Sequence, residues 1–97
     1  MSRIESLKLK LRHEMPYISS KYGVSNLELF GSYVHNEQRE SSDLDILVEF
    51  GKTIDLFAYI ELENYLSDVL GIKVDLVLKD TLKPRIRESI LREAIPI

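Results

Sequence analysis

The chain has 97 residues, of which 44% are hydrophobic and 30% are charged, a balance typical of one soluble globular domain and not of a disordered or membrane protein. Its 13 Lys and Arg and 16 Asp and Glu are interspersed and give a net charge of −3, which argues against nucleic acid as a partner. The absence of cysteine excludes disulfides and thiolate metal sites, and the lack of a signal peptide or long apolar run predicts a cytoplasmic protein with no membrane partner.

The N-terminal part of the chain predicts two helical pieces. Hydrophobic residues recur there at helical spacing, so residues 3–14 are expected to form an amphipathic helix. Pro16 is tolerated in the first turn of a helix, and we expect it to start a second piece of one or two turns. Gly23 is expected to end that piece, because glycine readily adopts the left-handed conformation that follows a helix.

Two strands are predicted next, separated by a loop. Residues 26–30 read as a short buried strand that stops at Gly31, and a short helical segment is expected to follow. Residues 44–50 are the strongest predicted strand, because branched apolar residues dominate them.

The remaining residues predict a helix, a strand and a last helix. Asp55 is expected to cap a helix that runs to Leu70, and residues 73–78 form the third predicted strand. Thr81 is expected to cap the last helix, with Pro84 in its first turn. The alternation predicts an α/β (α+β) fold for the whole chain as a single domain, with a small mixed sheet of about three strands flanked by helices.

Three aspartates stand at positions where a buried sheet favours apolar residues. Asp43 and Asp45 open one strand and, being two residues apart, point to the same face. Asp75 interrupts the next strand and joins them if the two strands are neighbours. Clustered carboxylates repel one another unless cations neutralise them, and hard oxygen ligands suit Mg²⁺ or Mn²⁺. The cluster predicts a metal site, although an Asp-x-Asp pair alone is more often a solvated strand end.

A Gly-Ser pair precedes these acids. Gly31 lets the backbone approach a phosphate closely, and the Ser32 hydroxyl and the following N–H groups can bind phosphate oxygens. Gly-Ser alone is most often a plain turn. The full spacing is more specific, since ten residues separate Gly31-Ser32 from Asp43-x-Asp45, and a strand aspartate follows.

This spacing resembles the Gly-Ser-x10-Asp-x-Asp signature of the DNA polymerase β-like nucleotidyltransferase superfamily. In length the chain is most similar to its minimal nucleotidyltransferase (MNT) proteins, which implies their fold. The resemblance implies that the three aspartates are catalytic and ligate the metal, and that Asp75 also orients or deprotonates the acceptor hydroxyl. It further implies nucleotide binding by Gly31, Ser32, Arg39 and Ser42.

The resemblance also implies a partner. MNT-like proteins are paired with small helical HEPN-type toxins, in a type VII-like toxin–antitoxin system. The implied reaction is Mg²⁺-dependent transfer of AMP from ATP to a toxin tyrosine, by a protein adenylyltransferase that acts as the antitoxin. A hetero-oligomer with the toxin and a homodimer both stay open. Two alternatives remain: a non-catalytic antitoxin that covers its toxin, and a transferase for a small molecule such as an antibiotic.

The chain departs from the family pattern at two positions. Many relatives carry arginine near positions 33 and 35, where this chain has Tyr33 and His35. We expect this departure to weaken triphosphate binding or to leave it to Arg39. Tyr33 is a candidate for stacking on the base, and His35 is expected to face either the nucleotide or solvent.

Overall fold

The structure is a computed structural model that describes residues 2–35, 37, 39 and 42–97. Within them, three α-helices and four strands alternate, and a short 3-10 helix precedes the last α-helix. The elements are α1 (Arg3–Tyr22), β1 (Val24–Phe30), β2 (Leu44–Phe50), α2 (Leu56–Leu70), β3 (Val74–Leu78), the 3-10 helix (Lys79–Thr81), α3 (Pro84–Glu93) and β4 (Ile95–Pro96).

The strands form one mixed sheet in the order β3-β2-β1-β4. β2 and β3 are parallel and are joined by α2, whereas β1 is antiparallel to both of its neighbours. The predicted mixed sheet flanked by helices is confirmed, and a short fourth strand is added to the three that the sequence predicts. β4 is the additional strand, and it places Ile95 beside Leu29 and Pro96 beside Glu28.

Helix α1 is continuous through Pro16, so the predicted break at that residue is wrong. Proline in a helix interior removes one hydrogen bond to the carbonyl four residues earlier. Burial of one face of the helix against the rest of the protein offsets that loss. The predicted end at Gly23 is confirmed, because Gly23 adopts φ 75°. The side chains buried along that face are Leu7, Leu11, Ile18 and Tyr22.

Helix α2 has the predicted ends. The Asp55 carboxylate accepts a hydrogen bond of 2.8 Å from the Ala58 N–H, which satisfies one backbone donor of the first turn. Gly71 follows the helix with φ 70°. Both caps are local signals, which is why the sequence predicts them well.

Helix α3 begins differently from the prediction. The Thr81 hydroxyl donates to the Leu78 carbonyl at 2.9 Å and belongs to the 3-10 turn, so it does not cap α3. Lys83 takes the N-cap position without a side-chain hydrogen bond, and Pro84 stands in the first turn as predicted.

The hydrophobic core lies between helices α1 and α2 and one face of the sheet. α1 and α2 pack on each other, α1 on β1 and α2 on β3. Alternation along β2 turns Leu44, Ile46 and Val48 into this core. Asp45 and Glu49 therefore point to the opposite face, where the candidate site lies. Within the part of the chain that the structure describes, no helix is both long and apolar enough to cross a membrane.

Candidate active site

The parallel pairing of β2 and β3 brings two of the three predicted aspartates together. Asp45 lies directly beside Asp75 in the register, and Leu44 lies beside Val74. The Leu44 N–H donates to the Lys73 carbonyl at 2.8 Å, which fixes this register at the start of both strands. The carboxyl groups thus lie at the same end of two neighbouring strands.

Asp45 is the member of this pair whose pKa is raised. Burial, the negative charges of Asp75 and Asp43, and a hydrogen bond with Asp75 raise its pKa from 3.8 to about 6. Each of these causes disfavours the ionised carboxylate. A positive charge bound at this point would reverse the effect.

Asp43, Asp45 and Asp75 are called the acidic cluster here, and Asp43 lies at its rim. Its carboxylate is 4.0 Å from the ammonium group of Lys73, at the entrance to β3. Among the described residues, no three His, Cys, Asp or Glu side chains are positioned to hold a metal ion together. The triad is therefore not assembled in this side-chain arrangement, and metal ligation by Asp43, Asp45 and Asp75 stays a prediction.

The sequence reading missed Lys73 as a member of the site. Nothing in its local sequence distinguishes it from other surface lysines. Only the parallel register places it beside Asp43, because the residue before Val74 lies next to the residue before Leu44.

Gly31 joins the end of β1 to the acidic cluster. It adopts φ 83°, a left-handed conformation that glycine tolerates and other residues rarely adopt. A Cβ atom at this position would collide with the Asp45 carboxylate. The predicted need for glycine therefore has two causes here, the backbone conformation and the contact with Asp45.

A hydrogen-bonded turn follows Gly31, where the sequence predicted a short helical segment. The N–H groups of Val34 and His35 donate to the Gly31 carbonyl at 3.1 and 3.3 Å, and the Glu37 N–H donates to the Ser32 carbonyl at 2.8 Å. Ser32 is half-buried at the start of this turn. The turn holds Ser32 next to Gly31, and hence close to the acidic cluster.

Arg39 and Ser42 form a second turn just before β2. The Arg39 N–H donates to the Ser42 hydroxyl oxygen at 2.7 Å, and the Ser42 N–H donates to the Arg39 carbonyl at 2.9 Å. Arg39 is exposed. The Ser42 hydroxyl therefore has a structural role in shaping this loop, and its hydrogen remains able to donate to a ligand.

Tyr33 and His35 have different environments. Tyr33 is 7% exposed and belongs to the hydrophobic core, so the idea that it stacks on a base is wrong for this structure. His35 pairs with Glu93 of α3 at 3.0 Å, and that carboxylate raises the pKa of the imidazole. The sequence reading missed Glu93, since their contact depends on how α3 folds back towards the turn.

A second charged cluster joins β1, β2 and the start of the 3-10 helix. The Lys79 ammonium group donates to Glu28 at 3.3 Å and to Glu49 at 3.2 Å, and the Asn26 amide also bonds both carboxylates. These bonds lower the pKa of Glu49 and raise that of Lys79. One ammonium group thus pairs with two carboxylates here, which offsets part of their negative charge.

The acidic cluster has the donor chemistry that a hard divalent cation requires. Carboxylate oxygens are the preferred protein ligands of Mg²⁺, and Asp43, Asp45 and Asp75 supply them from one end of the sheet. A cation would also relieve the mutual repulsion that raises the pKa of Asp45. The residue types present therefore fit a metal site, and ligation by all three carboxylates would require the Asp43 side chain to turn from Lys73.

Comparison with known proteins gives consistent matches over nearly the whole chain. The family model described as nucleotidyltransferase domain matches residues 15–97. A candidate protein adenylyltransferase of Methanocaldococcus jannaschii is 50% identical over 96 residues, which cover 98% of each chain. The protein adenylyltransferase MntA of Thermococcus cleftensis is 41% identical over 95 residues, 98% of this chain and 96% of the relative.

Solved structures share the fold. A candidate minimal nucleotidyltransferase superposes with a TM-score of 0.80 at 38% identity, covering 100% of this chain and 97% of the other. A toxin–antitoxin complex with AMP-PNP contains a chain that superposes with a TM-score of 0.67 at 29% identity, covering 97% of this chain and 68% of that one.

Proposed function

Because this chain belongs to the nucleotidyltransferase domain family and has the fold of a minimal nucleotidyltransferase, we propose that it transfers AMP from ATP to a protein. The acceptor in this proposal is a tyrosine of a cognate HEPN-type toxin, so that the protein acts as an antitoxin. One observation carries the proposal. Gly31 packs directly against Asp45, which lies beside Asp75, so the Gly-Ser turn and a carboxylate pair meet at one point.

The names of similar proteins support the choice of reaction and partner. The relative at 41% identity is named a protein adenylyltransferase, and the relative at 50% identity is named a candidate protein adenylyltransferase. A structural neighbour at 29% identity comes from a toxin–antitoxin complex that contains AMP-PNP, an analogue of ATP. These names describe the relatives, and the proposal extends them to this chain.

The residues of the site have separate tasks in this reaction. The turn at Gly31 and Ser32 binds the triphosphate, with Arg39 and Ser42 at its outer side. Asp43, Asp45 and Asp75 would hold Mg²⁺, which supplies positive charge against the phosphate oxygens.

The chemical step is an in-line displacement at the α-phosphorus. The tyrosine oxygen forms a bond to the α-phosphorus, and the bond from that phosphorus to the pyrophosphate oxygen breaks. Asp75, which is exposed near the start of β3, orients the tyrosine and accepts its proton. The products are AMP-tyrosine and pyrophosphate.

Intact-mass spectrometry of the toxin tests this proposal. We expect the toxin to gain whole AMP units when it is incubated with substoichiometric wild-type protein, ATP and Mg²⁺, and to stay inactive after the protein is removed. Asp43→Asn/Asp45→Asn should add no mass. Full protection by this double variant at one-to-one stoichiometry, with no mass gain from the wild type, would refute the enzyme and favour the non-catalytic antitoxin that covers its toxin.

A further inference from the structure

The first two turns of α2 expose large apolar side chains. Leu56 is 68% exposed, Phe57 is 84% exposed and Ile60 is 45% exposed. Their spacing places them on neighbouring positions of the helix surface. Exposed apolar groups that cluster in this way commonly mark an interaction site. We call these three residues the α2 patch.

A groove of about 480 Å³ adjoins the α2 patch. It runs between the start of α2 and the end of β3, and Leu56 belongs to both the patch and the groove. Tyr59, Leu76 and Leu78 are among the other residues that line it. The patch and groove together form one largely apolar surface on the outer side of the sheet edge.

The hydrogen bonds at this edge restrict what can bind. β3 is the edge strand, but α2 side chains already bond its outward backbone groups. Ser67 accepts from the Val74 N–H at 2.9 Å, Glu63 accepts from the Leu76 N–H at 2.9 Å, and Tyr59 donates to the Leu76 carbonyl. A partner strand therefore cannot extend the sheet at these residues. Apolar side chains, as on one face of a helix, remain the suitable complement.

The groove and the acidic cluster share strand β3. Asp75 immediately precedes Leu76, which lines the groove, and its side chain points to the opposite face of β3. Tyr59 also lines the groove, and burial together with the charges of Glu63 and Asp75 raises its pKa to about 12. A protein that binds here and also extends around the edge of the sheet would bring its own side chains to Asp75.

We propose that the α2 patch and its groove bind an apolar helix face of the acceptor protein and hold it beside Asp75. This inference rests on the proposed function, since it names the docking surface for that protein. The patch exposes the equivalent of about two large side chains, roughly 400 Å². A stable dimer of this chain would bury roughly 800 Å² on each partner, twice that area. A transient enzyme–substrate contact does not need as much surface.

The test compares exposed apolar residues inside and outside the surface. Phe57→Ser and Leu56→Ser remove patch residues, and Leu9→Ser is the control, because Leu9 is 46% exposed on α1. Affinity for the cognate HEPN-domain toxin is measured by titration calorimetry without ATP. We expect each patch variant to weaken binding roughly tenfold or more, as truncation of an interface anchor does, and the control to change it less than twofold. Thermal melts verify that all variants fold.

The outcomes separate this inference from the proposed function. If the patch variants lose affinity while the toxin gains no AMP, the docking surface stands and the transfer reaction fails. Should the toxin gain AMP while the patch variants bind like Leu9→Ser, the docking inference is overturned and the reaction stands. A wild-type protein that does not bind the toxin also overturns it. The docking inference is also overturned if the wild type sediments as a dimer and Phe57→Ser sediments as a monomer. The patch would then join two copies of this chain.

Discussion

Asp45 is a partly buried carboxyl group whose nearest ionisable neighbours are two further aspartates. Because its pKa in the fold is about 6, above the ordinary 3.8, the folded protein binds this proton more tightly than the unfolded chain does. The resulting stabilisation is complete below pH 3.8 and is lost as the pH rises through about 6. Ionised Asp45 thus destabilises the metal-free protein at neutral pH, by a free energy on the order of 2 kcal/mol.

Asp45→Asn should remove this cost. Asparagine has the same shape and can donate to Asp75, so the variant should be more stable than the wild type at pH 7–8 in EDTA. The difference in the free energy of unfolding should shrink towards zero near pH 4. Urea unfolding across this pH range measures it, with Asp80→Asn as an exposed control. A variant less stable than the wild type at pH 8 would contradict this picture of the site.

Substitutions at Gly31 and Gly71 allow the effect of backbone strain to be distinguished from that of a steric clash in the site. Both have positive φ, 83° and 70°, but a Cβ at Gly31 meets the Asp45 carboxylate while a Cβ at Gly71 meets nothing within 4 Å. Each change to alanine should cost about 1 kcal/mol of stability from strain alone. Gly31→Ala should in addition lose ATP binding, measured by calorimetry. Equal ATP affinity in the two variants would mean that Gly31 does not shape the nucleotide site.

At the scale of single residues, the sequence located much of the candidate site. Gly31, Asp45 and Asp75 were identified from their spacing and from the cost of a carboxylate in a buried strand. Contacts between residues of different strands or helices could not be predicted from the sequence. Lys73 reaches Asp43 only through the strand register, and Tyr33 is buried because the turn after Gly31 folds inward.

At the scale of elements, packing of the whole helix outweighs the local rule that proline interrupts a helix, as Pro16 shows. Pro16 is exposed inside α1, and the helix continues because its opposite face is buried. Pro16→Ala should restore one backbone hydrogen bond and remove the ring clash, while loosening the unfolded chain slightly. We expect a net gain of about 1–2 kcal/mol in thermal unfolding, with Ser20→Ala as the control in the same helix. An unchanged melting temperature would show that the helix accommodates proline without loss.

Strand β4 is an element that the local sequence does not predict at all. Only Ile95 and Pro96 form it, and two residues carry no measurable alternation. The strand exists because Leu29 and Glu28 of β1 lie on an otherwise unpaired edge, and they are distant in sequence from the residues that pair with them. Helix caps at Asp55 and Gly71, in contrast, depend on neighbours within four residues and were predicted correctly.

At the scale of the whole molecule, the order of elements predicts the adjacency on which the site depends. A strand, helix and strand in sequence favour a parallel pair, and β2, α2 and β3 form one. This pairing brings Asp45 to Asp75 across the sheet, so the fold itself concentrates negative charge at one point. The stability of the molecule should therefore depend on the ligand that neutralises this charge.

Mg²⁺ and ATP together should stabilise the folded protein by mass action. A ligand at 100 times its dissociation constant adds about 2.7 kcal/mol, which for a domain of this size raises the melting temperature by roughly 10 °C or more. ATP in EDTA should have little effect, because the triphosphate and the carboxylates then repel each other. Asp45→Asn should melt higher than the wild type without ligand and gain almost nothing from Mg²⁺–ATP, since the same substitution removes both the repulsion and a metal ligand. Differential scanning calorimetry at pH 7.5 compares the two proteins without ligand, with ATP in EDTA and with Mg²⁺–ATP. A full Mg²⁺–ATP shift in Asp45→Asn would place the nucleotide elsewhere and would leave the Asp45–Asp75 pair without a role in binding it.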